Sequence, residues 1–326
     1  MALSIEQQLV EAFEQDSRKC PSDLDTRIAA EYRQQVMQQR GTPFMPRRRK
    51  MPKFVLIAVI FILICGFSYA GNKLLFEDKT DKFSINYQTA QELHFEQDDV
   101  EKIRGSLQEV KAQLNPGDTA AVYLQDYDIQ VAGTPLVFGI NKPIPIPLEA
   151  WKATLQQHSI EEKLPESILG TFKFVEGMEN SPYQFSFGPD GYRLLDEMKA
   201  ENKETGSKVL WRKIDLSKDE PVVPYTSVYR NSGNDTIYLT WQIANGNPDL
   251  KMFQVAPPNT TYEEINIDGL TAHYMLDDQS LFGQSNIHQD VMWLKESGGK
   301  SVIYHVQSDS TKLTKEQLVE AAKSLL

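Results

Sequence analysis

Apolar side chains recur every third or fourth residue in some stretches of this chain and every second residue in others. These two periods predict its helices and its strands. Near the start, Ile5, Leu9, Val10 and Phe13 share one helical face behind a capping box at Ser4–Gln7. After Cys20-Pro21, a second box at Ser22 and Asp25 opens a helix striped by Leu24, Ile28, Ala29, Tyr32 and Val36. Neither helix is long enough to be stable alone, so each stripe needs cover. The two stripes can face each other, lie on a membrane surface, or engage a cytoplasmic partner.

A different pattern follows. Phe54–Ala70 (FVLIAVIFILICGFSYA) holds no charged side chain, and Arg47, Arg48, Arg49, Lys50 and Lys53 stand directly before it. At 1.5 Å per residue such a helix covers about 26 Å, the short end of what crosses a hydrocarbon core of roughly 30 Å. Basic residues resist translocation, so the N-terminal side is expected in the cytoplasm and the C-terminal side outside the cell. Ser68 and Ala70 also satisfy the small-residue rule of a signal-peptidase site, but 53 residues precede the run, which favours an uncleaved anchor.

Beyond a polar stalk, residues 71–82, a helix is predicted over Asp98 to Leu114, in which Val100, Ile103, Leu107, Val110 and Leu114 keep register. Asn115-Pro116-Gly117-Asp118 ends it, and a strand follows at residues 120–124. Prolines 143, 145 and 147 alternate in an extended connector, placed as a sub-domain boundary. Helices are then predicted at residues 148–157 and 192–201, and strands at 171–175, 208–213, 225–230 and 236–243. A strand pair turns around Asp268-Gly269. A further hairpin, residues 291–295 and 301–307, has a five-residue loop. A last helix is capped by Thr314 and stapled by Leu313 and Leu318.

The expected fold is therefore α+β: a short helical cytoplasmic segment, one transmembrane helix, and an antiparallel-sheet-rich external part with helices on one face. Its expected divisions are residues 1–46, the basic flank and membrane helix 47–71, a first external sub-domain 72–145, and a C-terminal domain 146–326.

Charge supports this split. Residues 1–53 carry 10 Lys/Arg and 7 Asp/Glu, whereas the rest carries 24 and 38. An acidic exterior argues against nucleic acid as a partner. The two cysteines, Cys20 and Cys65, leave the external part without a disulfide framework, so it must stand on its hydrophobic core.

Candidate chemistry is sparse. The histidines, at 94, 158, 273, 288 and 305, show no ligand spacing, and His305 on an alternating strand is expected to face solvent or to be hydrogen-bonded. Gly283-Gln284-Ser285-Asn286-Ile287 is not a nucleophile elbow, because position 287 is not glycine. Gly298-Gly299-Lys300-Ser301 echoes the end of a phosphate loop, but position 294 is Leu, so a hairpin turn is expected. Asp277-Asp278 and Asp98-Asp99 are expected on solvated surface. Trp211, Tyr225, Tyr229, Tyr238, Trp241, Trp293 and Tyr304 are expected in the core. No cofactor, metal or catalytic residue is assigned.

Several stretches carry a resemblance. They are residues 114–123 (LNPGDTAAVY), Lys142-Pro143, Leu164-Pro165, residues 173–177 (KFVEG) and residues 209–213 (VLWRK). The ending adds residues 267–272 (IDGLTA), 293–296 (WLKE) and 315–325 (KEQLVEAAKSL). With this order of parts, the chain resembles membrane-anchored, anti-sigma-factor-like proteins of low-GC Gram-positive spore-formers that carry a C-terminal extracytoplasmic domain of unknown function. The resemblance implies a non-enzymatic signalling protein. An external domain would sense an envelope ligand, and residues 1–40 would hold a cytoplasmic partner such as an extracytoplasmic-function sigma factor. Ile5, Leu9, Phe13, Leu24, Ile28 and Tyr32 are the expected contacts. The His/Cys zinc set of many anti-sigma factors is absent from residues 1–53. The alternative is a cell-surface binding or structural module whose N-terminus is only an anchor.

Overall fold

The computed structural model describes residues 73–326, apart from 81–82, 128–129, 132–133, 136, 159, 161–163, 184–189, 215–221, 245–249 and 298–299. The chain order begins with β1 (Leu74–Lys79), β2 (Phe83–Thr89), a 3-10 turn (Gln91–Leu93), α1 (Gln97–Gln113) and β3 (Thr119–Leu124). A short pair, β4 (Gln130–Val131) and β5 (Thr134–Pro135), precedes β6 (Val137–Asn141), α2 (Leu148–Gln157), β7 (Ser167–Ile168) and β8 (Phe172–Met178). Next come α3 (Asp190–Thr205), β9 (Val209–Ile214), β10 (Val222–Arg230), β11 (Thr236–Ala244) and β12 (Leu250–Ala256). Strands β13 (Thr261–Ile267), β14 (Leu270–Asp277), β15 (His288–Ser297) and β16 (Lys300–Ser308) lead to α4 (Lys315–Lys323).

The largest sheet runs β13-β14-β15-β16-β11-β10-β8-β7, antiparallel throughout. Period-two alternation gives it two different faces. On one face the cross-strand partners Tyr225, Trp241, Tyr304 and Trp293 form an aromatic row, with the Trp293 and Tyr304 rings stacked at 5.0 Å. Helices α2 and α4 bury this face through Trp151, Leu155, Leu318, Ala321 and Ala322. The opposite face is covered in part by the sheet β1-β2-β12, where Phe76, Ile85 and Met252 meet Met275, Met292 and Ile303. A third sheet, β6-β3-β9, packs Ala120, Val122, Leu124, Phe138 and Ile140 against Val100, Ile103, Leu107 and Val110 of α1. Strand pairing crosses residue 146, since β9 pairs with β3 and β12 runs parallel to β2.

The expected fold class is corrected here. Among the described residues no helix is long and apolar enough to cross a membrane. Each helix is amphipathic and presents charged residues to water, as Asp98, Asp99 and Lys111 do on α1. Helices also do not gather on the face of one sheet: α2 and α4 lie on the eight-stranded sheet, and α1 and α3 on β3 and its neighbours. The fold is a sheet-rich, mostly antiparallel α+β arrangement of several sheets. Phe54–Ala70 and the stripes holding Ile5, Leu9, Phe13, Leu24, Ile28 and Tyr32 lie outside the described residues.

Two local expectations also change. Residues 74–79 are strand β1 rather than stalk, because Phe76 buries against Tyr87, Tyr262 and His273. The β15–β16 ladder continues to Ser297 and Lys300, so only residues 298–299 connect the two strands.

Candidate binding cleft

A concavity lies where one helix, two strands and one loop converge. Helix α1 places Arg104 in its buried stripe beside Ile103 and Leu107. The guanidinium carries five donors in a planar fork and meets carbonyl acceptors of the 280–285 loop. Nη1 donates to Ser280 O and Phe282 O, both at 3.0 Å, and to Ser285 O, while Nη2 donates to Gly283 O at 3.2 Å. Burial holds this guanidinium below its ordinary pKa, an effect opposed by the charge of Asp309.

Asp309, just past β16, fixes the other side of the loop. Its carboxylate accepts Gln284 N–H at 2.6 Å, and its carbonyl accepts the Ser285 hydroxyl at 2.5 Å. Burial pushes the Asp309 carboxyl above its usual range. Gly283 has φ +81°, and a β-carbon there would stand 2.8 Å from Asp309 Oδ2, so the turn requires glycine.

The loop thus forms one wall of a cleft of about 250 Å³. Leu107, Gln108 and Lys111 of α1 form a second wall, Gly139, Ile140 and Asn141 of β6 a third, and Ser181, Pro182 and Tyr238 complete it. Leu107 and Ile140 give a buried apolar floor. Gln108, Lys111, Asn141, Ser181 and Gln284 give the rim amide, ammonium and hydroxyl groups. Tyr183 supports the site from behind, its ring set edge-on to Tyr238 at 5.3 Å and tilted against His288 at 4.4 Å.

A second groove, of about 710 Å³, is lined by Leu148, Leu155, Ile160, Leu164 and Pro165 with Lys152, Glu166 and Ser324. It is largely apolar and lacks the converging polar groups that orient a small ligand.

Two histidines of the large sheet pair with carboxylates. His305 Nδ1 lies 2.8 Å from Asp290 Oδ2, and Gln307 Nε2 donates to the same oxygen at 3.2 Å. The His305 and Asp290 side chains are 1% and 4% exposed, so a substrate has no access to this base. His273 bridges Asp78 at 2.9 Å and Tyr262 at 3.0 Å under the Phe76 ring, which joins β1 to β14. Among the described residues no serine, threonine or cysteine is bonded to either imidazole. Among the described residues no three His, Cys, Asp or Glu side chains form a metal-holding group.

Asp277, expected on solvated surface, is half-buried, and burial pushes its carboxyl up to about 7, against the pull of the Gln279 N–H donated at 2.6 Å. His305 is hydrogen-bonded and buried. Trp211 is half-buried, while the other aromatics expected inside are fully buried.

None of the six expected contact residues, Ile5, Leu9, Phe13, Leu24, Ile28 and Tyr32, falls within the described residues. The cleft residues went unread in the sequence. One signal was present: Arg104 occupies an apolar stripe position of α1, where a charge must find partners. Asn141, Ser181, Tyr238 and Gln284 come from four separate segments and share no pattern. No protein family, no curated protein and no solved structure significantly matches this chain.

Proposed function

We propose that this protein is a non-catalytic binding protein, attached to a membrane through Phe54–Ala70, whose external domain takes a small polar ligand in the α1–β6 cleft. The observation that carries this reading is the loop at 280–285, fixed on one buried guanidinium and one buried carboxylate. Such a wall is built before any ligand arrives, and pre-organisation lowers the cost of binding. The mixture of an apolar floor with a few directed polar groups is the usual chemistry of small-molecule sites.

Full-length protein in detergent should be screened by thermal shift against monosaccharides, amino acids and dipeptides, with Gln108→Trp as an occluded variant. The expected result is a rise in Tm for one compound class that Gln108→Trp removes. A rise of equal size in both proteins, or in neither, would end this reading.

The same proposal gives residues 1–40 a cytoplasmic partner of the sigma-factor kind. Its support is the pair of amphipathic stripes, each too short to stand alone. Residues 1–50 should retain a sigma factor on a column, and Leu24→Asp/Ile28→Asp should lose it. Retention of no sigma factor by the wild-type segment would leave the N-terminus as an anchor only.

A further inference from the structure

Strand β6, which borders the cleft, is buried along an edge that carries no partner strand. It pairs with β3 on one side and, among the described residues, with no strand on the other. In an antiparallel ladder the N–H and C=O of one residue point to the same neighbour, and those of the next residue point away. Lys142 fixes the phase. Its N–H donates to Asp118 O at 3.0 Å and its carbonyl accepts Gly117 N–H at 2.6 Å, both toward the β3 side. Ile140, opposite Ala120, therefore also faces β3, and Gly139 and Asn141 direct their N–H and C=O groups outward. The far side of β3 agrees with this phase. Gln125 N–H donates to Lys208 O at 2.9 Å, which turns the odd-numbered residues of β3 toward β9 and leaves Ala120 for Ile140.

Gly139 and Asn141 both line the cleft and both are buried. Among the described residues neither has a main-chain hydrogen-bond partner beyond the outer edge. Buried backbone polar groups are nearly always paired, and a bare sheet edge is a template for one more strand. Along this edge the groups run N–H, C=O, N–H, C=O over a two-residue step of about 7 Å, the repeat that an extended chain matches. The space beside them is set before a ligand arrives, because Arg104 and Asp309 pin the 280–285 loop that walls the same cleft. Gly139 brings no side chain to obstruct the approach, and glycine inside a strand commonly marks the place where another backbone comes close.

Resting on the reading that this cleft binds a small polar molecule, we infer that its ligand is a short extended peptide whose main chain joins the outer edge of β6 as an added strand. The N–H and C=O groups of Gly139 and Asn141 meet complementary groups on alternate residues of the peptide. Main-chain bonds supply the affinity in this mode, while pockets for alternate side chains supply the specificity. Here Gln108, Ser181 and Gln284 stand on the rim to meet those side chains. The cleft volume falls below the roughly 300–1,000 Å³ of sites for drug-sized ligands, which limits the enclosed segment to a few residues.

The test uses full-length protein in detergent and the N-acetyl amides of tri-alanine, tri-serine and tri-valine, titrated calorimetrically. Each peptide has three ester twins, in which one residue N–H at a time is replaced by oxygen. At least one parent peptide should bind, and its twins should bind about two- to tenfold more weakly at alternate positions, the worth of one main-chain hydrogen bond. Under saturating peptide the amides of Gly139 and Asn141 should exchange with deuterium at least tenfold more slowly. Twins equal to their parent at every position, or unchanged exchange at both amides, overturn strand addition. Peptide binding that persists undiminished in Gln108→Trp overturns it as well. If no peptide binds but a monosaccharide or amino acid does, and Gln108→Trp blocks it, the cleft reading stands without this inference. Binding of no probe removes both.

Discussion

Gly177 lies directly beneath the indole of Trp151, so close that a β-carbon on it would stand 2.0 Å from Cδ2 and 2.2 Å from Cγ of that ring. The contact locks α2 onto β8, and Trp151 Nε1 donates to Ser227 Oγ at 2.7 Å in the same buried layer. Gly177→Ala must push the indole out of a filled core. We expect a loss of about 3 kcal/mol, the upper part of the range for overpacking. A chemical denaturation curve with unchanged m value would register it. Stability within about 0.5 kcal/mol of wild type would show that α2 shifts freely over the sheet.

Asp290 and His305 form the more buried of the two histidine–carboxylate pairs among the described residues, with Gln307 as a third member. Removing one partner leaves the other polar and enclosed. Asp290→Leu and His305→Phe should each cost about 3–5 kcal/mol. The double variant should cost clearly less than the sum, because neither member of the pair is left facing an absent partner and only Gln307 Nε2 loses its acceptor. A double-mutant cycle with additive losses would contradict the coupling.

Two groups give pH dependences of opposite sign. The Asp277 carboxyl, pushed up from 3.8 to about 7 by burial, keeps a proton that the unfolded chain has already released. Its contribution to stability therefore falls as pH rises from about 4 to 7. His288, held down at about 4 by burial, refuses a proton that the unfolded chain accepts below 6.5. Its contribution rises with pH between about 4 and 6.5. The two slopes offset each other in the wild type. Asp277→Asn should expose a stability that climbs from pH 4 to 6.5, and His288→Gln one that declines from pH 4 to 7. Each slope should reach up to about 1.4 kcal/mol per pH unit. Identical pH profiles for all three proteins would contradict both shifts.

Arg104 supports the cleft without needing to touch its occupant. Arg104→Met strips four carbonyls of their donor, at a cost of about 3 kcal/mol. Backbone amides of residues 280–287 should then exchange with deuterium at least tenfold faster. Arg104→Lys should not rescue them, since a compact ammonium cannot span carbonyls spread over six residues. Unchanged exchange in Arg104→Met would mean that Asp309 alone holds the loop.

Much of the local structure was legible in the sequence. Thr314 caps α4 through a reciprocal box, accepting Gln317 N–H at 3.3 Å while its own N–H donates to Gln317 Oε1 at 3.0 Å. Leu313 and Leu318 are buried beside it. The stripe of α1, the bounds of α2 and the turn at Asn231–Asp235 likewise stand where spacing and turn chemistry put them. These features depend on neighbours within a few residues. Strand β1 has no local signal of this kind, because the burial of Phe76 comes from Tyr87, Tyr262 and His273, the last two nearly two hundred residues away in sequence.

The sequence by itself determined periodicity, caps, turns and the division of charge between residues 1–53 and the remainder, since each follows from residues adjacent in the chain. Only the tertiary structure decided that β12 runs parallel to β2, that Arg104 is enclosed by the 280–285 loop, and that Lys111 and Gln284 line one cleft. Those relationships join segments separated by up to about 180 positions, and the energy that selects them comes from packing and desolvation between surfaces, which no local pattern encodes.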